Sequence, residues 1–306
     1  MENYIKDYLG QINMDYRRYS SELIECEVCG SKEYEIVREV ISISKGNYGR
    51  LPVVCCKRCG FLFQNPRLNE KFYEDYYKNN YRNLIFKRND PTDEFLSNQI
   101  FRGKKLFDFV KEHIPKKGKI LDVGCSVGGM LIPFIENGWQ AFGTDLDSEY
   151  VRFGKEKMGL PLEDVKAENM VLEENAYDLI VIMGSLEHIY DPNKTLEICK
   201  KAGKNNSVIV LAGRGEPRSH TRDYFNLNHH RYLSKISIEL LMIKHGWEPF
   251  LTIHEGIYGP KGHSLTSIGK LKKEFEKEDF TQTLEKKYEN YSEIIKKFDD
   301  HDKNFK

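Results

Sequence analysis

Two carboxylates frame a glycine-bearing turn in the middle of this 306-residue chain. Ile120-Leu121-Asp122-Val123 reads as a short apolar strand, followed by the small-residue turn Gly124-Cys125-Ser126-Val127-Gly128-Gly129 and a helix near 128–137. Gly124 and Gly128 permit tight turning and a close backbone approach to a ligand. Asp122 lies at the strand end, ahead of the glycines, where it would repel a pyrophosphate and stabilise a cationic amino group. The next strand ends in Gly143-Thr144-Asp145, and a carboxylate there suits a pair of ribose hydroxyls. The alternative makes Asp122 a turn residue and Asp145 the cap of the helix from 148.

A cationic group and a ribose on one ligand favour S-adenosylmethionine over a dinucleotide. A second chemistry is carried by Cys26-Glu27-Val28-Cys29-Gly30 and Cys56-Lys57-Arg58-Cys59-Gly60. Two such knuckles bring four sulfurs onto one ion, so Cys26, Cys29, Cys56 and Cys59 are expected to hold structural Zn2+ with no open position for substrate. An iron–sulfur cluster and reduced buried cysteines are the alternatives, and Cys55 is a rival ligand to Cys56. The candidate bases are His220, Asp223, His229, His230 and Tyr232. Of these, His229 is the first choice and His230 the alternative; either could instead be a packing or surface histidine.

The elements that must position these residues alternate strand and helix. Strands read at 120–123, 140–144, 179–183 and 208–211, with helices near 128–137, 148–157 and 192–202. This pattern implies right-handed crossovers and a mainly parallel sheet covered on both faces. A helix at 234–245 leads to closing strands at 247–254 and 264–268. The expected organisation is an N-terminal extension (1–20), a zinc-binding ribbon (21–66), a helical connector and lid (67–117), a cofactor-binding domain (118–269) and a helical tail (270–306). In the tail, Leu284, Tyr288, Tyr291, Ile295 and Phe298 form one apolar stripe, read either as docking on its own domain or as a homodimer contact.

Composition bounds the partners. Lys+Arg and Asp+Glu both number 47, which argues against broad nucleic-acid binding. No apolar run reaches the roughly 18–20 residues needed to cross a membrane, and residues 1–10 lack an apolar signal core. The expected location is cytoplasmic, where the seven cysteines stay reduced or bind metal.

The turn at 121–128, Gly143-Thr144-Asp145, and Ser185-Leu186-Glu187-His188-Ile189-Tyr190-Asp191-Pro192 together resemble the class I S-adenosylmethionine-dependent methyltransferases, over about 118–270. The resemblance implies a Rossmann-like α/β fold with a seven-stranded, mostly parallel sheet and helices on both faces. It places Gly124, Cys125, Ser126, Gly128 and Leu146 around the cofactor, Glu168 and Asn169 at the adenine amine, and Met183 and Gly184 along the adenine and methionine parts. Ser126 stands where the family commonly has glycine, and is expected to keep a negative φ. Glu168 is alternatively a solvated carboxylate, and His188 either faces the site or caps the next helix. Tyr77 and Tyr81 are read as lid aromatics or as core.

The ribbon followed by Gly60-Phe61-Leu62-Phe63-Gln64-Asn65-Pro66 is similar to a subfamily with an N-terminal zinc-binding domain, several of whose members act on nucleotide-linked sugars or small metabolites. Asn228-His229-His230-Arg231-Tyr232 resembles its substrate-facing segment, with Asn228 in place of an acidic residue. The expectation is therefore a methyltransferase acting on a small polar acceptor. An RNA or protein methyltransferase and a non-enzymatic assembly protein are the rival readings.

Overall fold

The computed structural model describes residues 2–44, 47–86, 90–215, 224–254, 264–272 and 277–286. The chain forms two compact units. One comprises Met1–Asn89, Glu216–Leu240 and Thr281–Lys306; the other comprises Asp90–Gly215 and Leu241–Phe280. The first unit thus gathers three segments far apart in sequence. The connector read at 67–117 divides between the two units, since its long helix Asp93–Val110 belongs to the second.

In the first unit, helix α1 (Glu2–Gln11) precedes strands β1 (Ser21–Glu22), β2 (Tyr34–Ser44), β3 (Asn47–Cys56), β4 (Leu62–Gln64) and β5 (Arg67–Leu68). Helices α2 (Glu70–Tyr76) and α3 (Arg82–Phe86) follow. The N-terminal segment, which carries no readable chemistry, is part of this core: Ile5, Tyr8 and Leu9 are buried on α1, and Ile12 is buried just after it. Tyr8 packs so closely on Gly49 that a Cβ there would overlap its ring.

The second unit runs α4 (Asp93–Val110), β6 (Lys119–Val123), α5 (Ile132–Glu136), β7 (Gln140–Asp145), α6 (Ser148–Met158), β8 (Leu162–Asp164), β9 (Tyr177–Met183), α7 (Pro192–Ala202) and β10 (Gly203–Arg214). The chain then contributes β11 (Arg231–Tyr232) to the first unit, in a four-stranded sheet of order β11-β4-β3-β2. Helix α8 (Lys235–Lys244), strands β12 (Trp247–Ile253) and β13 (Ser264–Leu271), and helix α9 (Lys277–Lys286) complete the elements. Leu284 on α9 is buried, whereas the rest of the apolar stripe, Tyr288 to Phe298, lies outside the described residues, as do His220 and Asp223.

The seven-stranded sheet has the order β12-β13-β10-β9-β6-β7-β8. Strands β8, β7, β6, β9 and β10 are parallel, and β13 runs antiparallel to both β10 and β12. Strands covered on both faces need continuous apolar runs, and β9 supplies one from Leu179 to Met183. The chain winds outward from β6 through β7 to β8, then returns to β9 on the other side of β6. Ligands bind at such a reversal, outside the carboxyl ends of the two central strands.

Phe134 anchors the core of this unit. It is fully buried, with edge contacts to Phe107 at 5.1 Å and Trp139 at 5.9 Å. Phe134→Ala should cost about 3–5 kcal/mol by leaving a cavity there. A chemical-denaturation shift equivalent to less than about 1 kcal/mol would show that the core collapses around the gap.

Candidate active site

Asp122 is the most unusual group at the strand reversal. It is 1% exposed, and neither carboxylate oxygen has a hydrogen-bond partner among the described residues. Burial, and then the nearby charge of Asp145, push its carboxyl up to about 8. An uncompensated buried carboxylate is unfavourable unless it is neutralised or meets a cation. The turn after it is pinned to β7, with the Gly124 and Cys125 amides both donating to Thr144 O at 2.7 and 2.9 Å. Gly124 has φ +79°, and a Cβ there would overlap Ser185 Oγ.

Ser126 departs from expectation. Its φ is +56°, in the left-handed region, because the turn keeps a glycine-like path although serine occupies the position. Its hydroxyl is buried with no hydrogen-bond partner among the described residues. Gly128 is also left-handed, at +74°, and its amide donates to Cys125 O. Cys125 turns its side chain into the apolar core, leaving only its backbone for a ligand.

Asp145 braces this turn. One oxygen accepts the Ser126 amide at 2.8 Å and the other the Asp147 amide at 2.9 Å. The cap of α6 is Asp147, which accepts from the Tyr150 amide, so Asp145 does not serve as that cap. A carboxylate oxygen has two lone pairs, leaving Asp145 capacity for ligand hydroxyls. Leu146, beside it, is 45% exposed.

Glu168 is buried and accepts the Asp191 amide at 2.9 Å, which rules out the solvated alternative. Asn169 is exposed, and Met183 and Gly184 end β9, with the Gly184 amide donating to Ala212 O. His188 does not cap α7; Asp191 does, accepting from the Lys194 amide.

The remaining candidates lie in the first unit. The four thiols of Cys26, Cys29, Cys56 and Cys59 all lie within 4.8 Å of one another, with Cys26–Cys59 and Cys29–Cys56 each at 3.5 Å. A tetrahedron with ~2.3 Å metal–sulfur bonds has edges of ~3.8 Å, so the donor set fits zinc. The two knuckles repeat: Gly30 donates to Cys26 O and Gly60 to Cys56 O, both glycines at φ +73°. The thiol of Cys55 instead points to Cys56 O.

His229 is half-buried, with Nδ1 3.3 Å from Asn226 Nδ2. His230 is 2% exposed and lies 3.9 Å from the Tyr73 ring, a packing position. Tyr81 belongs to an aromatic group with Tyr76 and Tyr77. Asn228 accepts the Tyr76 hydroxyl through Oδ1.

Sequence reasoning passed over two acidic residues. Glu187 is 3% exposed; one oxygen accepts the Arg214 amide at 3.3 Å, and the other is buried with no partner among the described residues. In the sequence it stands only within the 185–192 segment that carries the family resemblance, with no role of its own. Glu27, read as a knuckle spacer, takes a bidentate contact from the buried Arg231, a pairing across 204 residues that no local pattern signals. A left-handed non-glycine residue costs of order 1–3 kcal/mol, so Ser126→Gly should raise stability by about 1 kcal/mol. A loss of stability in denaturant titration would show that the buried hydroxyl, not the backbone, governs this position.

Known proteins can now be set beside this geometry. Residues 94–253, more than half of the chain, match the family model described as a methyltransferase domain. A protein of Methanocaldococcus jannaschii with no assigned function is 26% identical over 129 residues, 42% of this chain and 60% of that one. The ubiquinone biosynthesis O-methyltransferase of Nitrosospira multiformis is 29% identical over 132 residues, 40% of this chain and 54% of the relative. The chain thus spans about half the length of the curated relatives it matches. The crystal structure of an S-adenosylmethionine-dependent methyltransferase from Aquifex aeolicus is 16% identical, covering 67% of this chain and all of that one, with a TM-score of 0.46. By its match to that family model over more than half of its length, the chain belongs to the methyltransferase-domain family.

Proposed function

We propose that the chain methylates a small polar acceptor of the sugar or nucleotide-sugar type, in the cytosol. The observation that carries the donor assignment is the buried, unpartnered Asp122 carboxylate at the strand reversal. Bound S-adenosylmethionine would supply a sulfonium methyl for in-line attack. Asp122 would face its cationic amino group, directly or through one water, and Asp145 its ribose hydroxyls. Leu146 and Met183 would flank the adenine, with Glu168 and Asn169 toward its amine. Gly124, Cys125, Ser126, Gly128 and Gly184 would contribute backbone and close approach.

The acceptor assignment is supported by neutral net charge, which opposes RNA. The name of the Nitrosospira relative, an O-methyltransferase, supports transfer to a hydroxyl. His229, more exposed than His230, is proposed to receive the acceptor proton; His188 and Glu187 are the other candidates. Zinc in the four-cysteine site would hold the ribbon together, since its small core needs a staple.

Two outcomes test this reading. Ligand-free Asp122 holds its proton below pH about 8, and a neighbouring cation would lower that value. Binding at pH 7 should therefore release a proton, and affinity should rise between pH 6 and 7.5. By the same raised value, this group's contribution to ligand-free stability is greatest below its ordinary 3.8 and falls as pH climbs through 8. Asp122→Asn should weaken S-adenosylmethionine about 10–100-fold in calorimetry, the effect of losing a charged hydrogen bond. No proton release and unchanged affinity would remove Asp122 from the site.

Metal analysis should find one zinc per chain, lost in Cys29→Ser together with the first unit's thermal transition; a folded, metal-free chain would refute the knuckles. Methyl transfer to nucleoside-diphosphate sugars is expected, and transfer confined to RNA would favour the rival reading.

A further inference from the structure

The histidine segment is built onto the four-cysteine ribbon from two sides. On one side, Arg231 is fully buried, and its guanidinium grips Glu27 with Nε to Oε2 and Nη2 to Oε1, each at 2.7 Å. Glu27 lies between Cys26 and Cys29 within the first knuckle. Arg67 adds a contact to Glu27 Oε1 at 3.3 Å and a second to Glu22 at 2.9 Å, closing a compact group of two acids and two bases. On the other side, the second knuckle runs directly into β4. There Phe63 pairs with Arg231 and Leu62 with Tyr232. Gln64 donates its backbone amide to His230 O at 2.8 Å, and its side-chain amide to Asn226 O at 2.9 Å and His229 O at 2.8 Å.

These contacts are unequal. The strand pairing and the Gln64 bonds are neutral, and each tolerates small adjustments. The Arg231–Glu27 fork is charged, geometrically fixed and removed from water. Breaking a buried pair from one side is costly because it strands the other charge. The position of Glu27 is therefore felt at Arg231, two residues from His229.

We infer that Glu27 and Arg231 are positioning residues: they relay the geometry of the metal-bound knuckle to residues 226–233, so that zinc occupancy sets the conformation of the histidine segment. The relay's relevance to catalysis rests on reading that segment as acceptor-facing; the relay itself does not. Metal–sulfur bonds would hold Cys26 and Cys29, and with them the backbone carrying Glu27. Without metal, no bond ties Cys26 and Cys29 to the second knuckle, and the backbone carrying Glu27 loses the link that keeps it in register with the fork.

Hydrogen exchange of the full chain, read by mass spectrometry on peptides covering 224–233 and 120–145, tests the relay. The samples are wild type and Glu27→Gln, each with zinc and after chelation. With zinc retained at one per chain, Glu27→Gln should exchange about tenfold faster across 226–233 and unchanged across 120–145. Chelation should accelerate 226–233 in wild type but add little in Glu27→Gln, because both act through one linkage. Wild-type protection in zinc-loaded Glu27→Gln, additive effects, or a wild type purified without zinc would each overturn the relay.

If Glu27→Gln fails to fold, Arg231→Lys keeps the charge but loses the fork, and full protection there would overturn the proposal equally. S-adenosylmethionine titration of the same samples separates the two readings. Its absence in every sample would sink the donor assignment alone, while intact binding with uncoupled exchange would sink the relay alone.

Discussion

The second unit is organised around one unfavourable placement, a carboxyl group buried at the end of β6 whose oxygens have no hydrogen-bond partner among the described residues. A fold does not keep such a group for stability, because an apolar residue of similar size would serve better. Its environment is nevertheless maintained by specific contacts. Thr144 O receives two amides of the turn, and Asp145 receives a third. Gly124 lets Ser185 close over the loop. These contacts hold Asp122 where, in the proposed reading, a cationic ligand would relieve it.

Asp145 shapes the turn and is also the residue proposed to receive the ribose. Each of its oxygens accepts one backbone amide, so the residue that would grip the ribose also shapes the turn that would receive the methionine end. Changes at Asp145 would therefore disturb two parts of the site together, whereas the Asp122 carboxylate makes no hydrogen bond among the described residues and can be altered with less collateral movement. That difference makes Asp122 the sharper probe of the cofactor.

Much of this was legible in the sequence for physical reasons. Strands of a covered parallel sheet must be apolar throughout, and the runs around Leu121 and Val181 announce themselves. The knuckles repeat a local pattern, so Cys26, Cys29, Cys56 and Cys59 could be grouped by spacing alone. What stayed hidden was non-local or conformational. The Glu27–Arg231 fork joins residues with no shared period. The left-handed Ser126 follows the path its glycine-rich neighbours impose, against its own preference. Glu187 stood out only as part of a family-like segment, because only burial shows that one of its oxygens has no partner among the described residues. The N-terminal segment offered no readable chemistry because its packing is non-local, as where Tyr8 meets Gly49 on β3.

The central claim is that Asp122 and Asp145 together receive the cofactor, and a crystal structure of the chain with S-adenosylhomocysteine tests it most directly. The account predicts the ligand across the carboxyl ends of β6 and β7. Its amino group should be joined to Asp122 directly or by one water, and its ribose hydroxyls bonded to Asp145. A ligand bound elsewhere, or one seated there with Asp122 still unpartnered, would contradict it.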